Sequence, residues 1–187
     1  MGASPHQLSK EQIISAFAAL NDKLMTKEVI GEICVFGVAA MVLAFDARQS
    51  TRDVDAIFMP KGYMADAIAE VADEFALRSD WLNDGVKGFV SESGDMTDDG
   101  MPQFSHLRIM RPSSTYLLAM KCLAARVGGY DTAGDEEDAL TLINHLGLNT
   151  VEEIIDVVCR YYSEQAIQPK TRYFIEELMV QRGEIHE

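Results

Sequence analysis

Residues Ile33–Met59, ICVFGVAAMVLAFDARQSTRDVDAIFM, decide the fold. They read as a buried strand, Ile33–Phe36, closing on Gly37, then an apolar helix over Val38–Phe45, a polar turn over Asp46–Arg52 and a second strand over Val54–Met59. Side chains alternate faces in a strand, so Asp53 and Asp55 project to one side while Val54 and Ala56 point to the other. Two carboxylates side by side at the start of an apolar strand repel each other and resist burial. A cation should offset them. One reading is a divalent metal site, because Mg2+ prefers oxygen ligands and commonly uses one or two carboxylates plus substrate phosphates. The other is a solvated strand end with Arg52 as the cation. The preceding strand bears on the choice: it ends in a glycine that starts a helix, and a helix N-terminus offers N–H groups and a positive dipole end to phosphate.

Outward from this stretch, the spacing predicts a helix over Lys10–Lys27. Ser9 and Gln12 form its capping box, and Ile13, Phe17, Leu20 and Leu24 form its apolar stripe. Pro60 stops the second strand, since proline cannot donate to a ladder. A helix follows over Tyr63–Leu77, with Met64, Ile68, Val71 and Phe75 on one side. Trp81 lies in turn chemistry and reads as a lid or core anchor, not a base-stacking platform. The apolar run Val86–Ser91 predicts a strand, Glu92–Gln103 a mobile acidic loop, and Phe104–Met110 a further strand. Ser113 or Ser114 caps a helix over Thr115–Val127 that Gly128 and Gly129 end. Three more helices follow: one carrying Leu140, Ile143 and Leu146 and stopped by Gly147, one capped by Thr150 and Glu153, and one opened by Pro169 or Lys170. The expected organisation is α+β, with a sheet-bearing core over 1–112 and a helical region over 113–187 packed on it.

Strand, glycine, helix and polar turn leading into an hDhDh strand resembles the signature of the nucleotidyltransferase-fold, polymerase-beta-like superfamily. The run Arg48, Thr51, Arg52, Asp53, Val54, Asp55 is similar to the RxxTxDxD segment of its bacterial abortive-infection-type nucleotidyltransferase toxins and related families of unassigned function. Leu117-Leu118-Ala119-Met120-Lys121 with Ala124-Ala125-Arg126, then Asp138-Ala139-Leu140, is similar to that subgroup's LxxK and DhxxL helices. The resemblance spans Cys34–Leu146. It implies a nucleotidyltransferase-like mixed sheet flanked by helices, with a C-terminal helical bundle. It further implies Mg2+ or Mn2+ held by catalytic Asp53 and Asp55, and a nucleoside triphosphate substrate met by Gly37, Val38, Arg48, Thr51 and Lys121. Two departures stand out. The family's glycine is normally followed by glycine or serine, where this chain has Val38, and the third carboxylate that active members place on a later strand is missing from Phe104–Met110.

Composition narrows the choice of partners. A formal net charge of −14 disfavours broad affinity for nucleic acid or anionic lipid. The exception is local: residues 102–130 hold no acid but include His106, Arg108, Arg111, Lys121 and Arg126. That stretch is either the internal counterion to the carboxylates or a landing site for a phosphate-bearing ligand. Cys34, Cys122 and Cys159 are scattered in apolar surroundings and read as reduced core residues of a cytoplasmic protein, not a disulfide frame or zinc site. The polar start MGASPHQLSKEQ and the lack of a spanning apolar run predict a cytoplasmic protein without membrane attachment.

Two functions follow as expectations. The chain binds a nucleoside triphosphate with Mg2+ and transfers a nucleotidyl group to a hydroxyl of RNA, protein or a small molecule. Alternatively, it is a catalytically reduced interaction module, such as one partner of a toxin–antitoxin pair, facing a cognate basic protein.

Overall fold

The computed structural model describes residues 7–85, 90–125 and 132–185, and these form two compact units. The first unit, 7–85 with 96–111, runs β1 (Leu8–Ser9), α1 (Lys10–Thr26), β2 (Gly31–Val35), α2 (Gly37–Phe45), β3 (Ser50–Thr51), β4 (Val54–Met59), α3 (Lys61–Glu74), β5 (Leu82–Asn83), β6 (Met96–Thr97) and β7 (Leu107–Pro112). Five strands make a mixed sheet in the order β5-β4-β2-β7-β6. β2 pairs antiparallel with β4 and parallel with β7, and β4 pairs parallel with β5. β1 and β3 form a separate two-stranded ribbon.

Period-two alternation sets the sheet's two faces. Ile33, Val35, Val54, Ala56, Leu107 and Ile109 are buried on one, where each Val, Leu or Ile side chain contributes about 1.5–3 kcal/mol. Helices α1 and α3 pack together over this face. At Gly31 an added Cβ would lie 2.7 Å from both Leu24 Cδ1 and Met64 Sδ, so the close seating of the two helices depends on glycine there. The Ser9 and Gln12 capping box forms as the spacing predicts. Trp81 is a core anchor: it is buried near Phe17, and its indole N–H donates to the Ile68 carbonyl at 3.2 Å.

Several boundaries differ from the sequence reading. The later strand begins at Leu107 instead of Phe104: the His106 N–H is taken by Asn21 Oδ1, and its carbonyl accepts the Gly31 N–H where the pairing with β2 starts. The acidic stretch 92–103 holds the edge strand β6, and Met101 within it is buried. Phe75 does not line α3. It caps the C-terminus and is 40% exposed, because the helix ends at Glu74 and Ala76 turns left-handed. The strand expected at Val86–Ser91 lies mostly outside the described residues, as do Arg126, Gly128 and Gly129.

The second unit, 90–95 with 112–125 and 132–185, is helical: α4 (Ser114–Ala124), α5 (Thr132–Leu146), α6 (Val151–Tyr161) and α7 (Pro169–Ile185). Of the two candidate caps, Ser113 starts α4 by accepting the Tyr116 N–H, and Thr150 with Glu153 starts α6. Gly147, at φ +67, ends α5. α4 packs against α5, α6 and α7, which explains why Tyr116, Leu117, Leu118, Ala119 and Cys122 are buried around most of its girth. Residues 90–95 are tied to this bundle: the Tyr116 hydroxyl accepts the Ser91 N–H, and Ser91 Oγ donates to the Tyr161 carbonyl, both at 2.6 Å. No helix among the described residues is long and apolar enough to cross a membrane.

Candidate functional site

β4 carries the site. With Val54, Ala56 and Phe58 turned to the core, Asp55 and the residue just before the strand, Asp53, stand half-buried on the opposite side. Thr51 shapes that approach, donating from Oγ1 to the Asp53 carbonyl at 2.9 Å. Thr51 is itself buried and paired with Leu8 in the ribbon, so the small sheet fixes the turn that presents Asp53.

Across the sheet, Val35 lies opposite Ala56, and the Phe36 N–H donates to the Asp55 carbonyl at 2.8 Å. The chain then turns at Gly37, with φ +59, into α2. A Cβ on Gly37 would lie 3.5 Å from Asp55 Oδ2. The first turn of α2 has no side-chain cap and no acidic residue, so its leading N–H groups lack a side-chain acceptor beside that carboxylate. Val38 is half-buried as the second residue of this helix.

The electrostatics agree with the placement. Burial first, and the charge of Asp55 second, push the Asp53 carboxyl above its ordinary range, while Arg78 and Arg52 pull weakly the other way. Arg78 is committed to Asp80 through two bonds of 2.8 and 2.6 Å. Arg52 is exposed and makes no ion pair among the described residues, while its charge still acts on Asp53. No hydrogen bond or ion pair among the described residues engages the Asp55 carboxylate.

This donor set suits a hard divalent cation: two oxygen-bearing groups, one of them unpartnered, beside helix N–H groups able to meet a phosphate. Among the described residues no third histidine, cysteine, aspartate or glutamate completes a cluster with them. Asp95 belongs to the helical unit, where burial opposes its charge but hydrogen bonds from Tyr161 and Ser113 hold its carboxyl below the usual range.

The structure thus brings Gly37, Asp53 and Asp55 together, with Thr51 as a support. Arg48 is half-buried in the turn between α2 and β3. Lys121 belongs to the helical unit. There it is 8% exposed, and its ammonium lies 2.5 Å from Asp138 Oδ2 and 3.2 Å from Asp135 Oδ1. Other members of the basic stretch are engaged too: Arg108 with Glu32 at 3.5 Å, and Arg111 with the Asp99 carbonyl at 3.0 Å and over the Phe45 ring.

One neighbour escaped the sequence reading. Asn83, opposite Asp55 on β5, donates from Nδ2 to Asp53 Oδ2 at 3.4 Å. Its strand is two residues long, too short to show alternation, and the surrounding Ser-Asp-Trp-Leu-Asn-Asp-Gly carries the signature of a turn.

No protein-family model, curated protein or solved structure matches the chain.

Proposed function

We propose that this protein binds a nucleoside triphosphate with Mg2+ or Mn2+ at Asp53 and Asp55, in the manner of a nucleotidyltransferase, and transfers the nucleotidyl group to a hydroxyl acceptor. The observation that carries this reading is the unpaired, half-buried Asp55 carboxylate set between Asp53 and the uncapped start of α2 at Gly37. Asp53 and Asp55 supply the cation's oxygen ligands. Gly37 lets backbone approach the phosphates, and the leading N–H groups of α2 donate to them. Thr51 holds the Asp53 turn in place. When bound, the cation supplies Lewis-acid polarisation of the α-phosphate and the attacking oxygen. The engagement of Arg108, Arg111 and Lys121 inside their own units favours a protein or small-molecule hydroxyl over RNA as acceptor, since the basic stretch has less charge left for a polyanion.

A second reading has its own support. Val38 after the glycine, and the lack of any carboxylate on β7, favour a catalytically reduced interaction module whose acidic surface meets a basic cognate protein, as in a toxin–antitoxin pair.

Thermal melting with ATP, CTP, GTP and UTP, with and without Mg2+, separates the two. A ligand at one hundred times its Kd stabilises the fold by about 2.7 kcal/mol, which is on the order of 5 °C for a chain of this size. The first reading expects a metal-dependent shift with at least one nucleotide that Asp53→Asn removes. The second expects no shift with any of the four.

A further inference from the structure

Asn83 adds to the site something that neither aspartate supplies. β5 runs parallel to β4 with Asn83 opposite Asp55, so the two side chains share a sheet face. Its Oδ1 accepts the Gly85 N–H at 3.0 Å and its Nδ2 donates to Asp53 Oδ2 at 3.4 Å. The Gly85 bond fixes the orientation of the amide, because a backbone N–H can only donate and must face the oxygen end. The NH2 end is thereby left pointing at Asp53. Asn83 holds one oxygen of that carboxylate and adds no charge.

Charge count governs how tightly oxygen sites hold hard cations. Two carboxylates beside a neutral amide hold a bare divalent ion more weakly than three carboxylates would, and the ion gains correspondingly more from phosphate oxygens. We propose that Asn83 is a positioning and selectivity residue of the Asp53–Asp55 site, orienting Asp53 while keeping the site's charge low enough that cation retention depends on the accompanying triphosphate. This deepens the nucleotide-binding reading above and rests on it.

The test is Mn2+ binding to the full chain, followed by the free-ion EPR signal, with Mn2+ alone and then with ATP, CTP, GTP or UTP in turn. Asn83→Asp keeps an acceptor for the Gly85 N–H and replaces the donor by a third carboxylate. The expected wild-type result is weak binding of bare Mn2+, strengthened about tenfold or more by at least one nucleotide. Asn83→Asp should tighten bare Mn2+ by about tenfold or more and erase most of the nucleotide dependence. Asn83→Ala, with an unchanged circular dichroism spectrum, should weaken Mn2+–nucleotide binding by about tenfold or more. If Asn83→Asp fails to fold, Asn83→Ala alone decides, and an unchanged Kd overturns the proposal. Unchanged bare-ion affinity in folded Asn83→Asp, with nucleotide-dependent binding still lost in Asp53→Asn, overturns the role of Asn83 and leaves the site standing. Wild-type protein that takes up no Mn2+ with any nucleotide overturns both.

Discussion

Asp55 Oδ2 lies 3.5 Å from the point at which a side chain on Gly37 would begin, so the carboxylate of one strand and the first residue of α2 form a single surface. Gly37 has φ +59, a conformation costing an L-residue about 1–2 kcal/mol. The position beyond it is at ordinary van der Waals range. Gly37→Ala should therefore fold, lose about 1–2 kcal/mol in urea denaturation, and lose the Mg2+–nucleotide melting shift because a methyl group now covers the helix start. A shift as large as in wild type would show that close backbone approach at Gly37 is not required.

Asp53 should trade stability for ligand binding. Its carboxyl sits above the ordinary range because of burial and then Asp55, so the folded chain favours the protonated form more than the unfolded chain does. The sign follows: this group's contribution to stability falls as pH rises from the unfolded value, about 3.9, through the raised folded value, and stays low above it. Asp53→Asn removes that penalty. Without ligand it should melt higher than wild type at pH 7, with the gap narrowing on acidification toward pH 4, while showing no metal-dependent nucleotide shift. A lower melting temperature at pH 7 would mean that the Asn83 hydrogen bond stabilises the carboxylate by more than burial and Asp55 oppose it.

Lys121 and Asp138 make a sharper case. Both side chains are buried in the helical unit, 7% and 0% exposed, so removing the Lys121 ammonium takes a short ion pair away from a fully buried carboxylate. Lys121→Met should destabilise the chain by about 3–5 kcal/mol, and Lys121→Met combined with Asp138→Leu should recover most of that loss. Chemical denaturation checks both. If Lys121 instead serves only a phosphate, Lys121→Met would weaken nucleotide binding and leave the denaturation midpoint where it was.

Much of this architecture was legible because local rules and burial agree in it. Ser9 with Gln12 and Thr150 with Glu153 announce two helix starts, and the Val54–Phe58 alternation sets which side Asp53 and Asp55 occupy. Gly37 was legible as a helix start, though not its contact with Asp55, which arises from the antiparallel register of β2 and β4. The ribbon of Leu8–Ser9 with Ser50–Thr51 was not visible, since a two-residue pairing has no periodicity and depends on contacts 43 positions apart. Asn83 was hidden for the same reason. The basic stretch could be read as counterion or ligand site from composition, and only side-chain distances reveal how far its members are engaged within their own units.

The cysteines give the last prediction. Burial pushes the thiols of Cys34 and Cys122 up to about 12, while Cys159 lies exposed on α6. The thiolate is the reactive form, so at pH 8 both thiols stay overwhelmingly protonated and slow to react. Cys34 is further occupied with Met96 on the edge strand β6, their sulfurs 3.2 Å apart. Iodoacetamide at pH 8 should therefore add one carbamidomethyl group per native chain, at Cys159, and three after unfolding in guanidinium, as read by intact and peptide mass spectrometry. Rapid modification of Cys34 in the native protein would show that the Met96 side chain does not shield its thiol. That would make the face shared by Cys34, Ile57 and Asp55 more open to solvent, and to a ligand, than its half-buried side chains imply.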